Sequence, residues 1–319
     1  MIRQLCLALV FSGALLACGS SGKPEVIRLD YANYNPLSLL LREKGYLEQA
    51  LGPDGVRVEW VESVGSNKAL ELLNSNSADF ASTAGAAALI ARANHSPIRA
   101  VYVYSKPEWT ALVTRSGSGI SGVAELKGKK VAATRGTDPF VFLLRALDSV
   151  GLGEADIELV PLQHSDGKLA LERGDVDAWA GLDPLMASAE LAGAQLVFRN
   201  ADWNTYGVLD VRQGFADSHP SYVVRVLEAY ERAHADAVAD PNALYAAVER
   251  KLGLPEAVIR RVLERTNLAS TSLGEPQASA IAAAGQVLKK SGVIPLDSDV
   301  AAITAELLDG SFRAQLQPR

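Results

Sequence analysis

The sequence predicts an α/β fold of two lobes, with parallel-rich sheets flanked by helices. Three observations predict it. Short apolar runs alternate with helical patterns in two successive series, the signature of strand–helix units. A stretch rich in Gly and Ser, residues 115–122, separates those series. Beyond residue 211 the strand signal gives way to long amphipathic helices separated by Pro or Gly.

Each element follows in order. Residues 26–31 read as a strand, and 37–48 have helical spacing. Between them Asn35 suits the cap and Pro36 the first helical position, while Gly45 marks a weak point near the helix end. The unit then recurs. Residues 56–61 form a strand, Gly65 and Ser66 a turn with Ser66 as cap, and 67–73 a helix. Residues 79–82 form a strand, 83–85 a turn and 86–93 a helix, before a further strand at 99–104. A strand at 110–114 leads into the second series. This has strands at 130–133, 157–161, 178–181 and 195–198, with helices at 139–150, 167–173 and from Asp183 to about residue 192. After an extended segment at 206–211, helices are expected at 220–238, 241–251, 256–264, 275–290 and about 299–308.

This order places residues 25–114 and 212–319 in lobe one and residues 115–211 in lobe two. The extended segments 110–116 and 206–212 would join the lobes, with Trp109 and Trp203 as hinge packing.

The first residues differ from the rest. Arg3 precedes an apolar run over residues 5–16, too short to cross a hydrocarbon core that needs about 20 residues. Residues 1–17 read as a signal peptide. The phrase Leu15, Leu16, Ala17, Cys18 resembles the lipobox of bacterial lipoproteins, in which the Cys thiol receives a diacylglycerol. Residues 18–24 would then be the lipidated Cys and a small polar tether, with anchorage to a membrane through lipid.

Composition narrows the function. Cys6 and Cys18 are the only cysteines, so the mature domain has no thiol for catalysis, disulfides or a zinc site, and no metal is expected. A net charge of -6 gives no footprint for nucleic acid. The residues Gly117, Gly119 and Gly122 fit a dinucleotide pattern, but no acidic ribose clamp follows a full helix, so a crossover explains them better and no cofactor is expected.

The phrases from Val123 through Lys130, Arg135 to Thr137, Gly174 to Trp179 with Asp183 and Pro184, Phe215 with His219 and Pro220, and Gly292 to Pro295 occur in a set order. Together they resemble the sulfonate, taurine and nitrate branch of periplasmic solute-binding proteins. The resemblance implies the type II two-lobed periplasmic-binding-protein fold, closing on ligand like a clamp. It also implies a periplasmic or cell-surface lipoprotein without catalysis that passes a small organic anion, a sulfonate above others, to an ABC permease. Two alternatives stay open: a ligand sensor of the same fold, and an enzyme resembling those of pyrimidine biosynthesis.

The resemblance carries ligand contacts onto Asn33, Tyr34 and Asn35; Gly65 and Ser66; Thr83, Ala84 and Gly85; Gly136, Thr137 and Asp138; and Trp179 and Asp183. Ala86 stands where some relatives have an acidic residue, which leaves Asp138 or Asp183 to meet any ligand ammonium. Elementary chemistry points to the same turns. Each lies at a strand end and opens a helix, where free N–H groups and about half a positive charge suit an anion. Ser66, Thr83 and Thr137 would add hydroxyl donors, and Arg135 would point away. Plainer roles compete: Ser66, Thr83, Asp138 and Asp183 as helix caps, Trp179 as core, and His164 as a cap or solvent-facing group.

Overall fold

The computed structural model describes residues 22–316. The expected signal segment, residues 1–17, and the expected lipidation site, Cys18, lie outside the described residues. The first pass contains β1 (Val26–Ala32), α1 (Pro36–Lys44), α2 (Tyr46–Leu51), β2 (Arg57–Ser63), α3 (Ser66–Asn74), β3 (Phe80–Ala84), α4 (Gly85–Ala93) and β4 (Ile98–Pro107). The second series contains β5 (Thr110–Thr114), β6 (Lys130–Ala133), α5 (Asp138–Ser149), β7 (Glu158–Pro161), α6 (His164–Arg173), β8 (Ala178–Leu182), α7 (Leu185–Leu191) and β9 (Gln195–Phe198). The return contains β10 (Gly207–Arg212), α8 (Gln213–Ser218), α9 (Pro220–Ala239), α10 (Pro241–Leu252), α11 (Glu256–Glu264), β11 (Thr266–Asn267), α12 (Glu275–Lys290) and α13 (Val300–Leu307).

Two sheets result, ordered β11-β4-β10-β3-β1-β2 and β7-β6-β8-β5-β9. Within them β1 runs parallel to β2 and β3, and β6 parallel to β7 and β8. The crossing strands β5 and β10 run antiparallel to both of their neighbours. Strands β3, β5 and β8 are buried at every position, because helices cover both faces of each sheet.

The sheets correct the expected boundaries. Residues 110–114 pair in the second sheet and 207–212 in the first. The chain therefore changes lobe at residues 108–109 and again over 199–206, earlier on each pass than the sequence pattern implied. Both crossing strands read as apolar runs, and such a run does not say which sheet it joins.

Local chemistry sets the helix ends. Asn35 caps α1 by accepting from the Ser38 N–H, with Pro36 at the first turn. Gly45 is left-handed at φ 62 and divides the expected helix at 37–48 into α1 and α2. Ser66 does not cap α3; Gly65 occupies that position and Ser66 is the first helical residue. The helix expected at 167–173 begins earlier, at His164. The short elements α8 and β11 carry too little periodicity to be anticipated.

The first lobe holds a buried acidic network beneath the carboxyl ends of its strands. Asp30 accepts from the Ser82 N–H and hydroxyl, both at 2.8 Å, and from the Ser63 hydroxyl at 2.6 Å. Asp210 accepts from the Thr83 hydroxyl at 2.6 Å, while its Oδ1 has no partner. Burial pushes Asp30 up to about 6 and Asp210 up to about 7. Both values lie above the unfolded value near 3.9, so the folded state holds these protons more tightly, and stability falls as pH rises from about 4 to about 7. Asp210→Asn keeps an acceptor for Thr83 and removes one charge. Its melting temperature should match the wild type near pH 5 and exceed it by a few degrees at pH 8, where roughly 1–3 kcal/mol of charge burial is relieved. Thermal melts at the two pH values test this, and an equal gap at both would refute it.

Candidate functional site

Three helices begin where the lobes meet. Helix α3 starts after β2, α5 after β6 and α6 after β7, so their N-termini gather at the carboxyl ends of strands from both sheets. No side chain caps any of the three. Gly65 brings α3 so close to α6 that a Cβ there would lie 2.9 Å from Asn67 Oδ1 and 3.2 Å from His164 Nε2. Gly136 sits beside the same residue, where a Cβ would lie at an ordinary 3.6 Å from the Asn67 Cβ, and its φ of 75 is what requires the glycine. Asn67 also donates to Gln163 across the lobes at 3.5 Å.

Beside this junction lies a cavity of about 190 Å³, walled by Asn33, Tyr34 and Val64 of lobe one and by His164, Leu182 and Asp183 of lobe two, among others. That volume suits a ligand smaller than those of the usual 300–1,000 Å³ sites. Three buried polar atoms around the junction have no partner: Asn33 Oδ1, Asn67 Oδ1 and His164 Nε2. Either amide offers N–H donors instead on rotation by half a turn.

Several sequence-nominated residues are committed elsewhere. Asn35 caps α1 and donates to the Ser82 hydroxyl at 2.9 Å. The Tyr34 hydroxyl donates to the Ser82 carbonyl at 2.8 Å and meets the Ser63 hydroxyl at 3.0 Å, leaving its ring as cavity wall. The Thr83 hydroxyl donates to Asp210, away from the cleft, and the Thr137 hydroxyl donates to the Thr134 carbonyl at 2.6 Å. Ser66 accepts from the Ala84 N–H at 3.0 Å and keeps its own proton for another partner. Arg135 pairs with Glu154 at the surface and lies over Phe140, turned from the cavity as expected.

The turn 83–85 belongs to the interlobe crossover. Thr83 and Ala84 continue β3, and the Gly85 N–H donates to the carbonyls of Thr205 and Tyr206 at 3.2 and 3.1 Å. The Ala86 N–H donates to the Thr205 hydroxyl at 2.9 Å, so the start of α4 is occupied. A Cβ at Gly85 would meet the Thr205 carbonyl at 2.5 Å, which explains the glycine without a ligand. Asp138 is also engaged there. It accepts from Trp109 Nε1 at 2.8 Å, the Thr205 N–H at 3.1 Å and the Thr205 hydroxyl at 2.6 Å. Burial raises the Asp138 carboxyl above the ordinary range. Trp109 thus serves the crossover as expected, while Trp203 stacks with Phe142 and Phe198.

Trp179 is core. It is fully buried among Ala111, Val113, Ala132 and Met186, and Gly167 packs against its indole. Its indole N–H is buried without a hydrogen-bond partner.

Asp183 does line the cavity, but with its charge matched. It accepts from the Ala187 N–H at 2.8 Å and faces Arg265 at 3.4 Å. Arg265 and Arg261 of lobe one also hold Glu190 on α7, beside an apolar contact of Ala187 with Val258 and Val262. Burial pushes Asp183 up to about 7 despite Arg265. The sequence reading missed Asn67, Gln163 and Arg265. The polar residue following Gly65 and Ser66 at a helix start was the one available signal, and it concerned Asn67 alone.

A larger groove of about 780 Å³ lies between α5 and the end of α12. Its charges pair with one another, Arg135 with Glu154 and Lys290 with Asp148, and none of the unpartnered buried atoms lines it.

Comparison with known proteins bears on the family and the fold. A protein of Escherichia coli (strain K12) named for aliphatic sulfonate binding is 30% identical over 82% of this chain and 83% of its own length. One of the same name from Bacillus subtilis (strain 168) is 29% identical over 79% of each. The structure of the alkanesulfonate-binding protein from Xanthomonas axonopodis pv. citri, bound to MOPS, superposes with a TM-score of 0.82 at 25% identity, covering 90% of this chain and 99% of that one. The family model described as NMT1/THI5 like matches residues 38–244. That match spans well over half of the 319 residues, and the chain belongs to the NMT1/THI5-like family.

Proposed function

We propose that this chain is an extracytoplasmic solute-binding lipoprotein that captures a small organic anion, a sulfonate above others, between its lobes and delivers it to an ABC permease, without catalysis. The observation that carries the reading is the meeting of three uncapped helix N-termini, α3 from one lobe and α5 and α6 from the other, around Gly65, Gly136 and His164. Such termini hold an anion through backbone N–H groups and the helix field, with no buried Lys or Arg required. The names of the sulfonate-binding relatives support the same ligand class.

The cavity offers no free carboxylate to a ligand ammonium. Asp138 is held by Trp109 and Thr205, and Asp183 by Arg265 and Ala187. Propane-1-sulfonate should therefore bind more tightly than taurine, which has a similar shape and an added positive charge. Thermal shift with alkane sulfonates, benzenesulfonate, taurine, nitrate and phthalate tests the reading. A ligand at 100 times its Kd adds about 2.7 kcal/mol of apparent stability. Shifts from nitrate or phthalate alone would overturn the sulfonate assignment, and no shift from any anion would overturn the function.

Anchoring is tested separately. Cys18→Ser should release the protein from membrane fractions or block its maturation, because the acyl chains would be its only anchor. Wild-type protein that is fully soluble and carries no lipid by mass spectrometry would refute the lipoprotein assignment.

A further inference from the structure

We propose that His164 takes up a proton when an anion enters the cleft, so that a transient imidazolium, not a standing cation, meets the ligand's charge. The inference rests on the anion-binding function proposed above. Its basis is the hydrogen bonding behind the ring. The Thr134 hydroxyl has one proton, and it donates that proton to the Leu162 carbonyl at 2.7 Å. His164 Nδ1 lies 3.2 Å from the same hydroxyl oxygen and must therefore be the donor. In the neutral ring this leaves Nε2 as a bare acceptor. It is buried and unpartnered beside Gly65, and the ring lines the cavity.

A sulfonate has only acceptor oxygens. Against a bare Nε2 it would set lone pair against lone pair, at the one ring nitrogen that faces the cleft. Protonation of Nε2 converts that repulsion into a charge-assisted hydrogen bond and leaves the Nδ1–H bond to Thr134 unchanged. The proton comes from solvent and stays on Nε2 while the anion is bound.

No charge is already in place to hold the imidazolium in the empty cleft. Burial alone pushes His164 down to about 4. Of the other ionisable groups on the cavity, Asp183 is matched by Arg265, and Tyr34 is hydrogen-bonded to Ser82. On the adjoining elements, Arg135 pairs with Glu154, Lys68 with Glu71 and Lys168 with Glu172, while Asp166 is exposed. An arriving anion is the missing counter-charge.

The test is titration calorimetry of the full mature chain with propane-1-sulfonate at pH 7.5, in buffers of differing ionisation enthalpy. Uptake close to one proton per ligand is expected. Kd should rise with pH wherever the free ring is neutral and the bound ring still charged, and level off above the bound ring's own titration, as proton linkage requires. His164→Gln, which presents a neutral donor, should bind with no uptake and a flat pH profile. Nitrogen NMR of the wild-type imidazole needs no variant and should show both ring nitrogens protonated only in the complex. Sulfonate binding without uptake would overturn the proposal and leave the function standing, and uptake that persists in His164→Gln would assign the proton to Asp183. Tighter binding of taurine than of propane-1-sulfonate would show that the cleft acceptors serve a ligand cation, and would also overturn it. Failure of every anion to bind would instead sink the function on which it rests.

Discussion

Arg265→Ala should lower the melting temperature at pH 8 by about 5 °C or more. Its side chain is 5% exposed and faces Asp183, itself 4% exposed, while also holding Glu190. Removing one partner of a buried pair leaves an uncompensated charge, at a cost of roughly 3–5 kcal/mol, with about 1.6 °C per kcal/mol for a chain of this size. The loss should shrink toward pH 5. Asp183 is already pushed up to about 7, and without the guanidinium it rises further, so in mild acid the carboxyl is neutral and needs no partner. Arg265→Ala combined with Asp183→Asn should recover much of the stability at pH 8. Calorimetric melts of the single and double variants at both pH values decide it. A single variant as stable as wild type at pH 8 would mean that the pair does not hold the lobes.

Gly65→Ala should weaken binding through a contact between the lobes. The added methyl would sit 2.9 Å from Asn67 Oδ1 and 3.2 Å from His164 Nε2, and His164 belongs to the other lobe. Asn67 belongs to lobe one and the φ of 158 at Gly65 is one that L side chains rarely adopt, so the ligand-free protein should lose some stability as well, whereas the contact with His164 arises only on closure. Closure would then cost about 1–3 kcal/mol of overpacking, a loss of roughly 5- to 150-fold in sulfonate affinity. Small-angle scattering should show a smaller compaction on ligand addition than for wild type. Unchanged affinity would place the ligand away from the α3–α6 junction.

Much of the fold was legible because strand and helix periods differ and Pro and Gly punctuate them. Asn35 with Pro36, and Gly253 after α10, mark helix ends by local chemistry alone. The site was less legible, because its residues are assigned by partners distant in sequence. Nothing near Asp138 shows that its acceptors meet Trp109 and Thr205, 29 and 67 positions away. Thr83 looks like a turn hydroxyl until β10, paired with it at Val208, brings Asp210 diagonally within reach. Trp179 lies in the most specific phrase of the chain, yet that phrase is a central strand and its aromatic ring fills the core. His164 stayed ambiguous because a histidine's role depends on which nitrogen holds the proton, and Thr134, thirty positions away, decides that.

Thr205 has a mechanical consequence. Its carbonyl and hydroxyl accept from the Gly85 and Ala86 amides of one lobe, while its hydroxyl and amide donate to Asp138 of the other. A residue tied to both bodies at once must stay nearly still when they rotate, so the axle of the clamp passes close to it. Displacement then grows with radius. Side chains near the axle feel little of the stroke, and Arg265 is among them, since its carbonyl accepts from the Glu108 N–H at 2.8 Å where the chain first changes lobe.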